Sequence, residues 1–174
     1  RISETIPGAV AASIAARPEA EAVVEAGRRV TYRELGELVG ASTRAMMAAG
    51  VEPGDRVAIW APNGLGWIVA ALGAQSAGAA LVPVNTRFKG EEAATVLAAS
   101  QAAMLVTTLG FLDTDTVGML RAAETPLPRL RRIVLLEGSE SATQAPRGVD
   151  VEPWRVFAAR AGGITAAAES QCRE

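Results

Sequence analysis

Between Arg56 and Leu136 the sequence repeats one unit: a short apolar or β-branched run, a helical stretch, then another run. The pattern predicts strands at 56–61, 80–84, 103–107 and 132–136, with helices at 64–77, 91–99 and about 109 to 123. Such alternation specifies an α/β domain: a mostly parallel sheet with flanking helices and right-handed crossovers. Ala80–Val84 and Met104–Val106 are nearly all apolar, as strands covered on both faces are. Pro83 offers no amide donor, which places it at an edge, a bulge or a point where pairing is lost.

The residues ahead of this repeat form an N-terminal helix and a β-hairpin. Thr5 and Pro7 read as a helix start, with Val10 and Ile14 on one face and a stop before Pro18. In "EAVVEAGRRVTY" two β-prone runs flank Ala26-Gly27-Arg28, a hairpin with a glycine turn. Thr31 and Glu34 then make a capping box, from which Leu35, Leu38, Val39, Ser42, Met46 and Ala49 run in one stripe to Gly50. "VEPGD" is a turn before the first strand of the repeat. Beyond Leu136, Glu137 to Asp150 reads as a loop, and Pro153, Trp154 and Phe157 suggest a short helix. The Ala- and Gly-rich end offers little to bury.

Several functional classes fall away on composition. The net charge is −2 and the 17 basic residues are scattered, which argues against a nucleic-acid surface. There is no histidine and one cysteine, Cys172, so neither a Cys/His metal site nor a nucleophile–histidine couple can be built. Cys172 in a weak tail reads as inert. No run of eighteen apolar residues suggests a membrane span, and Glu4, Pro7 and Arg17 interrupt any export signal, so the expected location is the cytoplasm.

"RVAIWAPNGLGWIVAALG" (56–73) poses the question of a dinucleotide fingerprint, strand to glycine turn to helix. Gly64 and Gly66 fit its first two glycines. The third position is Val69, and Asn85 stands where an acidic residue should take a ribose hydroxyl. The simpler reading makes Asn63 the N-cap of an apolar helix whose flexible first turn holds both glycines. Trp60, Trp67 and Trp154 read as core or interface fillers rather than ligand stackers.

Three motifs in order resemble the N-terminal part of AMP-forming acyl-CoA synthetases, of the adenylate-forming superfamily. "VTYRELGELV" is similar to the family's first core motif. "GVEPGDRVAIWAPNGLGWIVAALGAQSAGAALVPVNTR" resembles the next block, with its Gly-Asp-Arg-Val strand entry, Pro-Asn turn and Ala-Gly-Ala-x-x-Val-Pro-x-Asn segment. "EEAATVLAASQAAMLVTT" resembles the helix and strand that follow. The likeness runs from about residue 5 to 136 and is closest to ligases of actinobacterial fatty-acid and sterol breakdown.

The resemblance implies that 1–136 is the N-terminal part of an AMP-binding domain and 137–174 a loop, short helix and poorly matching tail. It implies ATP and magnesium for making an acyl-adenylate and pyrophosphate from a carboxylic acid, then CoA, whose thiolate displaces AMP. The phosphate loop, ribose-binding aspartate and catalytic lysine would all lie past this sequence. No catalytic residue is therefore expected in the 174 residues, which should be inactive alone and prone to self-association through surface that the rest would cover.

In related CoA ligases an arginine at the "NTR" position contacts the nucleotide phosphate of CoA. This assigns that role to Arg87, with Lys89 as a second charge, although Arg87 could equally pair with Glu91 four residues on. Asn85 and Thr86 would shape the turn. Two other functions stay open: an adenylation module loading a carrier protein, and a non-catalytic interaction domain.

Overall fold

The structure is a computed structural model and describes residues 5–136 and 144–163; Cys172 and the rest of the tail lie outside the described residues. The chain divides into two compact units. One comprises the residues up to Pro53, Asn63–Ala79 and those from Ala158 on; the other comprises Gly54–Pro62 and Ala80–Phe157.

In the first unit, α1 (Ile6–Ala16) starts as its sequence dictates: Thr5 Oγ1 accepts from the Gly8 amide at 3.2 Å and Pro7 sits in the first turn. The hairpin strands β1 (Glu21–Glu25) and β2 (Arg28–Thr31) pair antiparallel around Ala26 and Gly27. Both turn residues have positive φ, 46° and 85°, as a two-residue turn matched to strand twist requires. The box opening α2 (Tyr32–Ala48) is complete: Thr31 Oγ1 accepts from Glu34 N, and Glu34 accepts from Thr31 N at 2.7 Å. The Thr31 amide, and after it the Thr31 hydroxyl at 3.0 Å from the same oxygen, hold the Glu34 carboxyl below the ordinary glutamate range.

The start of α3 (Leu65–Ser76) departs from the sequence reading. Its N-cap is Gly64, in extended backbone, and not Asn63. The cap comes from the hairpin instead: Glu25 Oε1 accepts from the Leu65 amide at 3.2 Å. A Cβ on Gly64 would lie 2.4 Å from that oxygen, so a larger residue there would displace the Glu25 carboxylate. The helix terminus that a pyrophosphate would need is occupied by a carboxylate, and the dinucleotide reading is settled against on charge as well as on motif. Further along, α3 crosses α2 where Gly73 meets Ser42.

The second unit is a five-stranded, all-parallel sheet in the order β4-β3-β5-β6-β7. Its strands are β3 (Arg56–Trp60), β4 (Ala80–Pro83), β5 (Met104–Thr107), β6 (Arg132–Leu135) and β7 (Asp150–Pro153). Ala58, Trp60, Leu105, Ile133 and Leu135 form one core with Ala93, Ala94 and Leu97 of α4 (Gly90–Ser100) and Val117 and Leu120 of α5 (Thr116–Ala122). The alternate residues Val57, Ile59, Met104, Val106 and Val134 are also buried, so the central strands are covered on both faces.

Three expectations need correction here. The first concerns β4, which is an edge strand and only partly covered; Pro83 lies on its open side, where a missing donor costs no ladder bond, and Val84 N still donates to Ile59 O at 2.9 Å. The second is the helix from 109 to 123, which shrinks to α5. Leu112 and Asp113 take left-handed φ in a 3-10 turn before it, and Asp115 caps it by accepting from Gly118 N at 2.9 Å. The third is Asp150, placed in a loop but starting β7. Beyond β7, Trp154–Ala159 is helical as expected, and the Trp154 and Phe157 rings sit 5.4 Å apart.

Candidate functional site

Parallel register brings the carboxyl ends of all five strands to one rim of the sheet: Ile59 lies opposite Pro83, Trp60 opposite Thr107, Thr107 opposite Leu135 and Leu135 opposite Pro153. Open α/β sheets present ligands at this rim. The Asn85–Lys89 turn leaves it from β4. Asn85 Oδ1 accepts from the Arg87 amide at 2.9 Å, and the Asn85 carbonyl accepts from the Phe88 amide at 3.1 Å. The same carbonyl takes the indole N–H of Trp60 at 3.0 Å, which fills both of its lone pairs.

The far end of the turn is fixed by α4. Glu92 accepts from the Lys89 amide at 2.8 Å. A Cβ on Gly90 would lie 2.3 Å from the Met119 carbonyl oxygen, so glycine here lets α4 meet α5. Arg87 and Lys89 are exposed. Glu91 is not the partner of Arg87: its carboxylate accepts from the amides of Glu124 (2.8 Å) and Thr125 (3.2 Å) and from the Thr125 hydroxyl. Those donors, the Thr125 hydroxyl foremost, hold Glu91 below the ordinary glutamate range.

Other arginines of this unit are committed to structure. Arg56 donates to the carbonyls of Ser100 (2.8 Å) and Gly54 (2.8 Å) at the opposite rim, and Arg131 pairs with Asp55 at 3.3 Å. Arg132 pairs with Glu152 across β6 and β7. The structure thus brings Arg87 and Lys89 onto one short, clamped, solvent-facing turn. Trp60, classed above with the fillers, is 2% exposed and also holds that turn. Trp67 and Trp154 are half-buried.

The matching family model is that of AMP-binding enzymes, and it covers residues 10–166. The chain belongs to the AMP-binding enzyme family. It is similar to the 3-(7a-methyl-1,5-dioxo-octahydro-1H-inden-4-yl)propanoyl:CoA ligase of Mycobacterium tuberculosis, with 39% identity over 160 residues, which cover 91% of this chain and 29% of that protein. Among solved structures, coronafacic acid ligase from Pectobacterium brasiliense superposes with a TM-score of 0.74 at 14% identity, covering 88% of this chain and 29% of that one. An artificially fused adenylation–PCP di-domain from Klebsiella oxytoca gives a TM-score of 0.63 at 20% identity, covering 91% and 24%. At these identities the two structures establish the fold, that of adenylate-forming enzymes. This AMP-binding enzyme chain spans less than a third of the length of each of these proteins.

Among the described residues, no three Asp, Glu, His or Cys side chains converge so as to hold a metal ion. Among the described residues, no helix is long and apolar enough to cross a membrane.

Proposed function

We propose that this chain is the N-terminal portion of an AMP-forming acyl-CoA ligase, which converts a carboxylic acid, ATP and CoA to acyl-CoA, AMP and pyrophosphate through an acyl-adenylate. The observation that carries the reading is the 39% identity, over 91% of the chain, to the 3-(7a-methyl-1,5-dioxo-octahydro-1H-inden-4-yl)propanoyl:CoA ligase of Mycobacterium tuberculosis. In this reading residues 1–136 belong to the AMP-binding domain's first part, and the chemistry at ATP is performed by segments past residue 174. Arg87, with Lys89 beside it, binds the nucleotide phosphate of CoA. Its support is the clamped rim turn, the absence of an acidic partner for Arg87 among the described residues, and the resemblance at "NTR".

The test is carboxylate-dependent ATP–pyrophosphate exchange by the full-length protein, followed by thioester formation with CoA. Exchange catalysed by the 174 residues alone would overturn the assignment of chemistry to the later segments. In the full-length enzyme Arg87→Ala raises KM for CoA about tenfold, as loss of a charge-assisted contact does, while exchange is retained; an unchanged KM removes Arg87 from the site. The likeness to an adenylation–PCP di-domain supports a second reading, loading of a carrier protein. Preference for a phosphopantetheine carrier over free CoA as acyl acceptor decides for it.

A further inference from the structure

We infer that Trp60 is a positioning residue for the CoA site, acting through its indole N–H on the turn that carries Arg87; the inference rests on the Arg87 reading above. Trp60 ends β3, and its buried ring belongs to the core beneath α4 and α5. Packing alone would be served by any large apolar side chain. The indole adds one directed bond: Nε1–H to the Asn85 carbonyl at 3.0 Å, across 25 residues of sequence.

Trp60 is itself held from the neighbouring strand. The hydroxyl of buried Thr107, on β5, lies 2.7 Å from the Trp60 carbonyl and 3.0 Å from the Thr116 hydroxyl, which reaches the Thr108 carbonyl at 3.0 Å. One linked set of polar groups therefore runs from the start of α5 through the ends of β5 and β3 to Asn85. From Asn85 it divides, the side chain taking the Arg87 amide and the carbonyl taking the Phe88 amide. Arg87 is exposed, so the held part of its geometry is its backbone, and Trp60 with Asn85 holds that. A charge offered from a pre-set turn binds phosphate with less ordering cost than the same charge on a loose loop.

The experiment uses the full-length enzyme with CoA and with dephospho-CoA, which lacks the nucleotide 3′-phosphate. Trp60→Phe keeps an aromatic core residue and removes the N–H; Asn85→Ala, at an exposed position, removes the side-chain acceptor without touching the core. Each is expected to raise KM for CoA roughly two- to tenfold, the range of one lost neutral hydrogen bond. Exchange rates and KM for dephospho-CoA should stay at wild-type values. Combined with Arg87→Ala, either change should add little to the single Arg87 effect, since both act through one contact.

Three results overturn the inference, and they are separable. If Arg87→Ala raises KM for CoA while Trp60→Phe and Asn85→Ala do not, the Arg87 reading survives and the positioning role falls. If the two variants raise KM for CoA and dephospho-CoA alike, or slow exchange, their effect is general structural damage. If Arg87→Ala itself changes nothing, the Arg87 reading fails first and the inference goes with it.

Discussion

Ser42→Ala should stabilise the fold. Ser42 lies on the buried side of α2 at 1% exposure, and its hydroxyl has no hydrogen-bond partner among the described residues. A buried, unpaired hydroxyl costs about 1–3 kcal/mol. Removing it also gains a few tenths, about 0.5 kcal/mol, in helix propensity. Against this stands a void of hydroxyl size, about 10–15 Å³, which costs about 0.3 kcal/mol at about 24 cal/mol per Å³. The net is about +1 to +3 kcal/mol, at a rise in Tm of about 2–4 °C per kcal/mol for a chain of this size.

Thermal denaturation followed by circular dichroism reads this directly, with Gly73→Ala as the opposing control. A Cβ on Gly73 would lie 2.1 Å from Ser42 Oγ, 2.6 Å from Ser42 Cβ and 3.2 Å from Ser42 backbone carbon. Overpacking of that kind costs about 1–3 kcal/mol. Combining the two changes recovers only part of the loss, because the contact with Ser42 Cβ persists. A fall in Tm for Ser42→Ala would refute the reasoning, since it would mean that the hydroxyl makes a hydrogen bond worth keeping.

Two further changes test the clamp behind the turn. Gly90→Ala drives a methyl into the Met119 backbone, at 2.3 Å from its oxygen and 2.7 Å from its carbonyl carbon, where no side chain can yield. It is expected to cost about 1–3 kcal/mol in a denaturant titration; an unchanged midpoint would show that α4 and α5 are not locked there. Glu91 has its folded pKa depressed, so its contribution is present above the ordinary glutamate pKa and is lost as pH falls through the lower folded value. Glu91→Gln should therefore lower stability at neutral pH and flatten the loss of Tm as pH falls below the ordinary glutamate range; parallel curves for variant and wild type would contradict this.

Local chemistry made much of the fold legible. The capping box at Thr31 and Glu34 involves residues three apart, the hairpin turn is named by Ala26-Gly27, and Pro83 announces an edge through one missing donor. What escaped reading depends on residues distant in sequence. Glu25 caps a helix 40 residues away, and nothing around Asn63 signals that the better-placed side chain will not be used. In β7 the strand is hidden because Glu152, a buried position, is a charge made tolerable by Arg132 on β6. Periodicity looks for apolar residues at such positions and finds none. The helix at 109–123 failed for a related reason: apolar content suggested helix, but Leu112 and Asp113 are left-handed and Asp115 resets the start.

The candidate site divides along the same line. Its charges, Arg87 and Lys89, are visible in the sequence only through likeness to a family, because an exposed arginine has no local signature of purpose. The parts that would make those charges useful are structural. Trp60 gives one atom to the core's interior chemistry, its carbonyl to Thr107, and another to the rim, its indole N–H to Asn85. Gly90 and Glu91 secure the turn's other end against α5 and the segment after it. A turn held by Trp60, Asn85, Gly90 and Glu92 does not relax when an exposed side chain that bonds to none of it, such as Arg87, is changed. Substitutions at Arg87 should thus report on ligand charge, and substitutions at Trp60, Asn85 or Gly90 on where that charge is held. The separation of those two classes of effect, charge and placement, is what the dephospho-CoA comparison measures.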